Sequence, residues 1–588
     1  MIFAYLYNKD RMWTVFHEQS KKRKFTESVV GGRIRRTGTV GGACRGLFPR
    51  REAVGTGCAF FGKYRFFGGT GNRVEKLTGG YAILTVPESE IDYLSTLTEI
   101  EYIEKPKALF YTVSQGKAVS CINSVQQGRL GLSGRGVLVA VIDSGIDYYH
   151  DDFRNPDGTS RILELWDQGQ DRVYTKEEID EALLEGSRQQ ARQVVPSVDS
   201  GGHGTAVAGI AAGNGRSSSG TGGSSRYRGV AWESELLVVK LGRRGEGEFP
   251  WTTSLMRALD FVVRRAVFYG KPVAVNVSLG NTYGSHDGSS LLETYINTIS
   301  NFGRNVIVIG TGNEGAAAGH VMGMLRVRQT EEVELIVGPY ETGFGVQLWK
   351  SYVDEFTVTL MTPSGQRIGP VRKSLGMQGM EYLDTRILIY YGFPSPYSQA
   401  QEIYFDFIPE RDYVESGNWK FILEPQNITV GRYDMWLPSA GTLNQATHFL
   451  RSVPDTTLTI PSAAAMALTV GAYNASFQSY SDFSGRGFTR VTNQVKPDIA
   501  APGNEIEAPR SGGGYGIFTG TSFAAPFVTG SAALMMEWGI IQGHDPYLYG
   551  EKVKAFLQRG ARKLPGFTEW PNPMMGYGAL CLRDSIPY

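Results

Sequence analysis

The chain has 588 residues, 41% of them hydrophobic and 20% charged, with 59 Lys/Arg against 58 Asp/Glu. Such a length predicts two to four domains with substantial cores, and a formal charge of +1 argues against nucleic acid or an anionic membrane as an obligatory partner. The 74 glycines fall in short turn-like clusters without a period, which excludes a collagen-like fibre and favours a loop-rich enzyme.

Residues 1–70 carry 14 Lys/Arg against 4 Asp/Glu and are broken by GG, GTG and FFGG, so no regular element is assigned there. A basic interaction arm and a stretch without stable order are both compatible with that composition. The opening MIFAYLYNKDRMW meets charge after eight residues, and no secretory signal is read from it. The compartment is left open. No run reaches the roughly 18 apolar residues of a membrane span. Residues 71–116 hold a strand at Tyr81–Val86, a short helix at Glu88–Leu97 and a second strand at Glu101–Glu104, a unit too small to bury much core alone.

From about 117 to 321, apolar strand candidates alternate with helix candidates. The strands are Val137–Ile142, Leu236–Leu241, Val273–Val277 and Val306–Ile309. Their continuous apolar runs predict strands covered on both faces, hence an α/β domain with a doubly wound, mostly parallel sheet. Between 322 and 455 the pattern changes to short alternating strands, VELIVG, EFTVTLMTPSGQ, TRILIYYG, QEIYFDFIP and WKFILEP. These predict an inserted antiparallel β-sandwich, jelly-roll-like. The α/β pattern resumes over 456–588, with a helix from about Ser522 to Trp538.

Four cysteines, Cys44, Cys58, Cys121 and Cys581, are widely spaced with no C-x-x-C pair. Neither a zinc site nor a dense disulfide framework is expected from them, and the fold is expected to need no oxidative staple.

In open α/β sheets ligands sit beyond the carboxyl ends of the strands, so the loops there carry the candidate residues. Asp143 ends the strand in VLVAVIDSGID, a rigid, partly dehydrated place that suits an orienting carboxylate. His203 in GGHGTAVAGIAAG opens a small-residue helix, with Gly201, Gly202 and Gly204 permitting close backbone approach. Ser522 in GTSFAAPFVTGSAALMM opens another helix, whose unpaired N–H groups favour developing negative charge. Pro526 sits in its first turn, where a missing N–H costs little, and Ala524 and Ala525 let it lie deep. Asn313 in GTGNEG can offer an amide to an oxyanion. Taken singly, each has a plain structural reading as a turn, a cap or a loop polar group. Together, their chain order Asp, His, Ser is that of one recurring nucleophile–base–carboxylate arrangement.

The blocks VAVIDSGID, GHGTAVAGIAAG, NVSLGN, GTGNEG, KPDIAAPG and GTSFAAPFVTGSAAL resemble the subtilase family of serine peptidases. The resemblance implies a subtilisin-like fold and peptide-bond hydrolysis without metal or organic cofactor. By it, Asp143, His203 and Ser522 take the catalytic positions and Asn313 that of the oxyanion amide. Ser278, Leu279 and Gly280 match the edge segment that pairs with an extended peptide substrate, and Glu314 would lie near the base of the specificity pocket, favouring a basic residue. The overall layout is similar to that of the clostridial Csp germination proteases, in which a propeptide precedes the subtilase domain and a jelly roll interrupts it. The features matching that layout are LTGGYAILTVP…IEYIEKPKALFY, the β-rich insert and WDQ…YTKEEIDEAL. The same resemblance implies an N-terminal α+β propeptide, cut between about Tyr111 and Ser120 and retained as a partner, limited proteolysis of a spore-cortex lytic enzyme and a spore-associated location. The loop GNGRSSSGTGGSSRYRG is poor in hard oxygen ligands, so no calcium is expected there. A regulatory pseudoprotease or binding scaffold is the alternative to an active enzyme. An esterase fits less well, because Ser522 lies in G-T-S-F-A and not G-x-S-x-G.

Overall fold

In the computed structural model, residues 2–6, 53–56, 73–77, 81–87, 90–94, 96–97, 100–104, 112–127, 129–218, 227–242, 250–371, 373 and 376–587 are described. The chain forms two compact units, Met1–Phe110 and Tyr111–Tyr588.

In the first unit, strands Tyr81–Pro87 and Ile100–Glu104 match the expected pair, and the expected helix is a single turn, Ile91–Leu94. Three further strands, Ile2–Leu6, Ala53–Thr56 and Arg73–Leu77, complete an antiparallel sheet. Two of them come from the segment to which composition assigned no element, and most of residues 1–70, including Cys44 and Cys58, lie outside the described residues.

The second unit is built on a nine-stranded sheet. At its centre, strands Asn305–Gly310, Val273–Val277, Leu138–Asp143 and Glu235–Lys240 run parallel and adjacent, in that order. The continuous apolar runs are explained by burial on both faces. Val139 and Val141 pack with helices His203–Ala212 and Thr521–Met536, whereas Leu138, Ala140 and Ile142 pack with helices Thr252–Phe268 and Leu291–Ile299. The first of these layers includes the one described helix long and apolar enough to cross a bilayer, Thr521–Ile541, 83% of whose apolar window is buried in the protein. Strands Ile162–Asp167 and Arg172–Thr175 extend the sheet, and helix Lys176–Leu184 follows with a capping box between Thr175 and Glu178.

The insert is a two-sheet antiparallel sandwich. Its six-stranded sheet orders 320–324, 432–436, 344–351, 400–409, 385–391 and 376–382, and its five-stranded sheet orders 367–371, 355–361, 417–427, 331–337 and 448–449. The two inner faces share one core, centred on Trp419, Phe405, Phe407 and Phe421.

Two expectations are corrected. Cys121 and Cys581 form a disulfide across 460 residues of sequence, so the fold does carry an oxidative staple, tying the lead segment to the last helix. Residues 112–119, where the propeptide cut was expected, form a helix of the second unit; its Lys117 Nζ reaches Gly229 O at 3.4 Å. Tyr111 itself lies outside the described residues. A peptidase that reads substrate by strand addition needs extended backbone, so an intact helix there is a poor cleavage site.

Candidate active site

Three adjacent parallel strands end at the same edge of the sheet and deliver Asp143, Ser278 and Asn313 to it. Helix His203–Ala212 meets this edge at its first turn. Gly202, at φ 73°, supplies the left-handed residue before the helix, and Gly204 allows the approach, since a Cβ there would stand 2.1 Å from Gly145 O and 3.1 Å from Asp143 Cβ. His203 Nδ1 consequently lies 2.7 Å from Asp143 Oδ1. Asp143 is 4% exposed, and its Oδ1 also accepts from Ser144 N at 2.7 Å. Burial opposes protonation of the imidazole, but the Asp143 charge and hydrogen bond, joined by the Asp199 charge, outweigh it and lift His203 above the ordinary histidine range.

Ser522 is the second residue of the buried helix Thr521–Met536. Its Oγ donates to Ser278 O at 3.3 Å, and Ser278 Oγ donates back to Ser522 O at 3.0 Å. The Ser278 hydroxyl is held in turn by Asn276 Nδ2 at 2.8 Å, and Asn276 Oδ1 by Thr529 Oγ1 at 2.9 Å. The ring of Phe523, the next residue, lies 5.2 Å from the His203 ring, so the helix start faces the imidazole. Asn313 Oδ1 accepts from Thr521 N at 3.0 Å and from Thr521 Oγ1 at 3.2 Å. That contact satisfies one orphan N–H of the helix and fixes the amide, leaving Nδ2 to donate. The first-turn N–H of Ser522 has no intrahelical acceptor either. The edge thus holds a hydroxyl, an imidazole aligned by a carboxylate, and two donors suited to an oxyanion.

Of the other sequence candidates, Leu279 packs against the core below the sheet, and Gly280 presses on the 459–460 segment, where a Cβ would stand 2.6 Å from Thr459 Oγ1 and 2.8 Å from Ile460 O. Glu314 is held within the protein. Its carboxylate accepts from Ala440 N of the insert at 3.0 Å, and burial pushes its carboxyl up. It ties the loop that carries Asn313 to the sandwich.

The insert also grips the edge segment that follows Gly280. Thr282 Oγ1 donates to Leu437 O at 2.7 Å, and Gln347 accepts from Gly284 N and donates to Thr282 O. Trp436 lies between His286 and His320, with ring centroids 4.1 and 4.6 Å away and planes within 14°. Burial holds His286 down to about 4, so the stack is uncharged on that side at neutral pH.

Sequence reasoning passed over Asp199 and Ser144. Asp199 is 1% exposed; its Oδ1 accepts from Ser144 Oγ and Gly202 N, and its Oδ2 from Thr205 N and Oγ1. Ser144 Oγ accepts from Gly204 N at 3.0 Å. Together they fix the turn that presents His203. The signal was present in DSGGHGT, where an acidic residue precedes the helix by four positions. Near the loop judged poor for calcium, the buried Asp152 accepts from Ser217 N and Tyr515 Oη.

The fold and this edge define a class, the subtilases. The subtilase family model matches residues 134–335 and 439–578, and the interval between the two blocks falls inside the sandwich. The chain therefore belongs to the subtilase family and is by class a serine endopeptidase. A Csp protease B prodomain model matches residues 64–107. The solved Clostridium perfringens CspB protease is similar to this chain at 36% identity with a TM-score of 0.74, covering 80% of this chain and 96% of that one. The Csp-like layout of prodomain and interrupted subtilase domain is thus shared with a known structure. Among curated relatives, the minor extracellular protease Vpr of Bacillus subtilis is 25% identical over 481 residues, 78% of this chain and 52% of Vpr. Serine protease AprX of the same organism is 34% identical over 157 residues, 23% of this chain and 33% of AprX. The chain spans about half the length of Vpr and a third of AprX.

Proposed function

We propose that the chain hydrolyses peptide bonds through an acyl-enzyme on Ser522, releases its own propeptide, and activates another protein by limited proteolysis. The carrying observation is the 2.7 Å contact between His203 Nδ1 and Asp143 beside the start of the Ser522 helix. With Nδ1 engaged by the carboxylate, Nε2 is the basic nitrogen. Ser522 Oγ attacks the scissile carbonyl carbon, Nε2 takes its proton, and Asp143 stabilises the resulting imidazolium. Asn313 Nδ2 and Ser522 N–H hold the oxyanion. The imidazolium returns the proton to the leaving amine; water then attacks the ester with His203 again as base. Ser278–Gly280 pairs with the substrate backbone, giving recognition of extended peptide ahead of side chains.

We propose self-processing between residues 107 and 112, a span supported by the end of the prodomain match and the start of the helix Thr112–Val119. The released segment is proposed to stay bound as a partner. The similarity to the CspB protease supports a target activated by limited proteolysis. Intact-mass measurement of wild type and Ser522→Ala, expressed side by side, tests the reading. Wild type is expected in two pieces cut between 107 and 112, and the variant whole. Both chains whole would move the regulatory scaffold to the front.

A further inference from the structure

Inside the sandwich, three neighbouring strands of the six-stranded sheet place apolar residues inward at every second position. Val346 and Leu348, Ile403, Phe405 and Phe407, and Ile387 and Ile389 are all fully buried. At one end of the sandwich the same inward positions change character. The next residues in phase are Lys350, Gln401 and Tyr391, exposed by 2%, 2% and 6%. Lys350 and Gln401 are register partners, and Tyr391 pairs with Ile403, two positions along the same strand. Phe356, Pro370 and Val371 of the opposite sheet face them across a cavity of about 240 Å³. Polar side chains in the inward register of a sandwich contradict its folding pattern, and such conflicts concentrate at functional sites.

Two of these groups are unspent. Tyr391 Oη and Gln401 Oε1 are buried and have no hydrogen-bond partner among the described residues. The Gln401 amide is oriented, because its Nε2 donates to Gly392 O at 2.9 Å. Lys350 Nζ donates to Asp354 O at 2.6 Å and Ser351 O at 3.1 Å, which leaves one of its three hydrogens. Burying a polar group without a partner is unfavourable, and two such groups converging on one cavity point to an occupant that pairs them. Burial pushes the Tyr391 hydroxyl up to about 12, so it is a neutral donor.

We propose that this cavity binds a single hydroxyl-rich ring, a pyranose unit, at a site separate from the peptidase edge. The occupant must accept from Lys350 and Tyr391 and donate to Gln401 Oε1. A carboxylate or phosphate cannot do the last, whereas a ring bearing several hydroxyls does both. The ring's C–H face fits the Phe356, Pro370 and Val371 wall. The volume lies below the roughly 300–1,000 Å³ of pockets for larger ligands, which limits the site to one ring. The source is either a free monosaccharide or the end of a glycan chain, and the latter would dock the peptidase on a polysaccharide.

Saturation-transfer NMR of the full chain with a panel of neutral and N-acetylated monosaccharides, alongside a glycan array, tests this. Wild type is expected to bind at least one ring. Tyr391→Phe and Gln401→Leu are each expected to weaken that binding at least tenfold. Tyr391→Phe deletes only an unpaired atom and should leave Tm unchanged or raised, whereas Gln401→Leu also removes the bond to Gly392 O and should lower Tm. Peptide hydrolysis is expected to be equal in all three. Binding in both formats identifies free sugar as sufficient; binding on the array alone identifies a glycan terminus. The proposal is overturned by a panel without binders, by variants that bind as wild type does, or by a Tyr391→Phe variant that loses binding and several degrees of Tm together, which would make that hydroxyl structural.

Discussion

The parallel sheet and the sandwich of the second unit bury their strands in opposite ways, and that decides where each can carry chemistry. The central strands of the parallel sheet are covered on both faces by helices, so no side chain within them is free to meet a ligand. Function is pushed to the carboxyl ends, where Asp143, Ser278 and Asn313 emerge side by side. The sandwich strands have an inner and an outer face, and their inner faces meet in one core. There a functional group can only appear as a break in the inward pattern, as Lys350, Gln401 and Tyr391 do. The first arrangement writes its site in short contiguous motifs, the second in scattered residues on separate strands.

The two regions also depend on each other, and the sharpest way to break that claim is Trp436→Ala at the seam. The substitution empties the space between His286 and His320. It is expected to cost about 3–5 kcal/mol of stability and to raise KM for a peptide substrate more than it lowers kcat, because the segment after Gly280 loses its brace. Calorimetry with steady-state kinetics checks both; an unchanged KM would make the insert a passenger.

Within the parallel sheet alone, Asn313→Asp keeps the acceptor for Thr521 N and deletes the donor. A loss in kcat of about 10²–10³ or more is expected, with KM little changed and Tm near wild type. The Cys121–Cys581 link belongs to the same half and closes a loop of 460 residues. Replacing both cysteines by serine is expected to lower stability by about 2–4 kcal/mol, read by denaturant unfolding, while turnover at low temperature stays the same.

The smallest effect concerns pH. As the proposed base, His203 must be neutral to act, and its pKa is raised, so kcat/KM is expected to climb with pH through a value above that of an ordinary histidine. Asp199→Asn removes one of the charges that raise it. The acid limb of the pH profile is then expected to move to lower pH; a limb that stays or moves up contradicts the assigned role of Asp199.

Much of the parallel sheet was legible because its signals are local. Val273–Val277 was read to the residue, and Asp143, His203, Asn313 and Ser522 each lie in a Gly-rich or small-residue block. The sandwich was legible as a class but not strand by strand. Phe344–Ser351 was missed because Trp349 and Lys350 stand out of phase in its alternation, an aromatic ring on the outer face and an ammonium on the inner one, where it lines the cavity. Arg432–Trp436 turns Tyr433 and Met435 to the core, and its other face, facing the seam, buries Asp434, held by Arg432 and Arg490, a contact with a distant segment that no local pattern encodes. The placement of Glu314 depended on a contact with Ala440, 126 residues away, which no local pattern encodes. The disulfide is hidden for the same reason, since spacing says nothing about partners so far apart.

The central claim is that Ser522 is a nucleophile activated by His203. Fluorophosphonate labelling followed by peptide mapping tests it most directly, on wild type and His203→Ala. An adduct on Ser522 in wild type, and its loss or strong slowing in the variant, is the predicted result. No adduct on wild-type Ser522, even after the propeptide is removed, would contradict it.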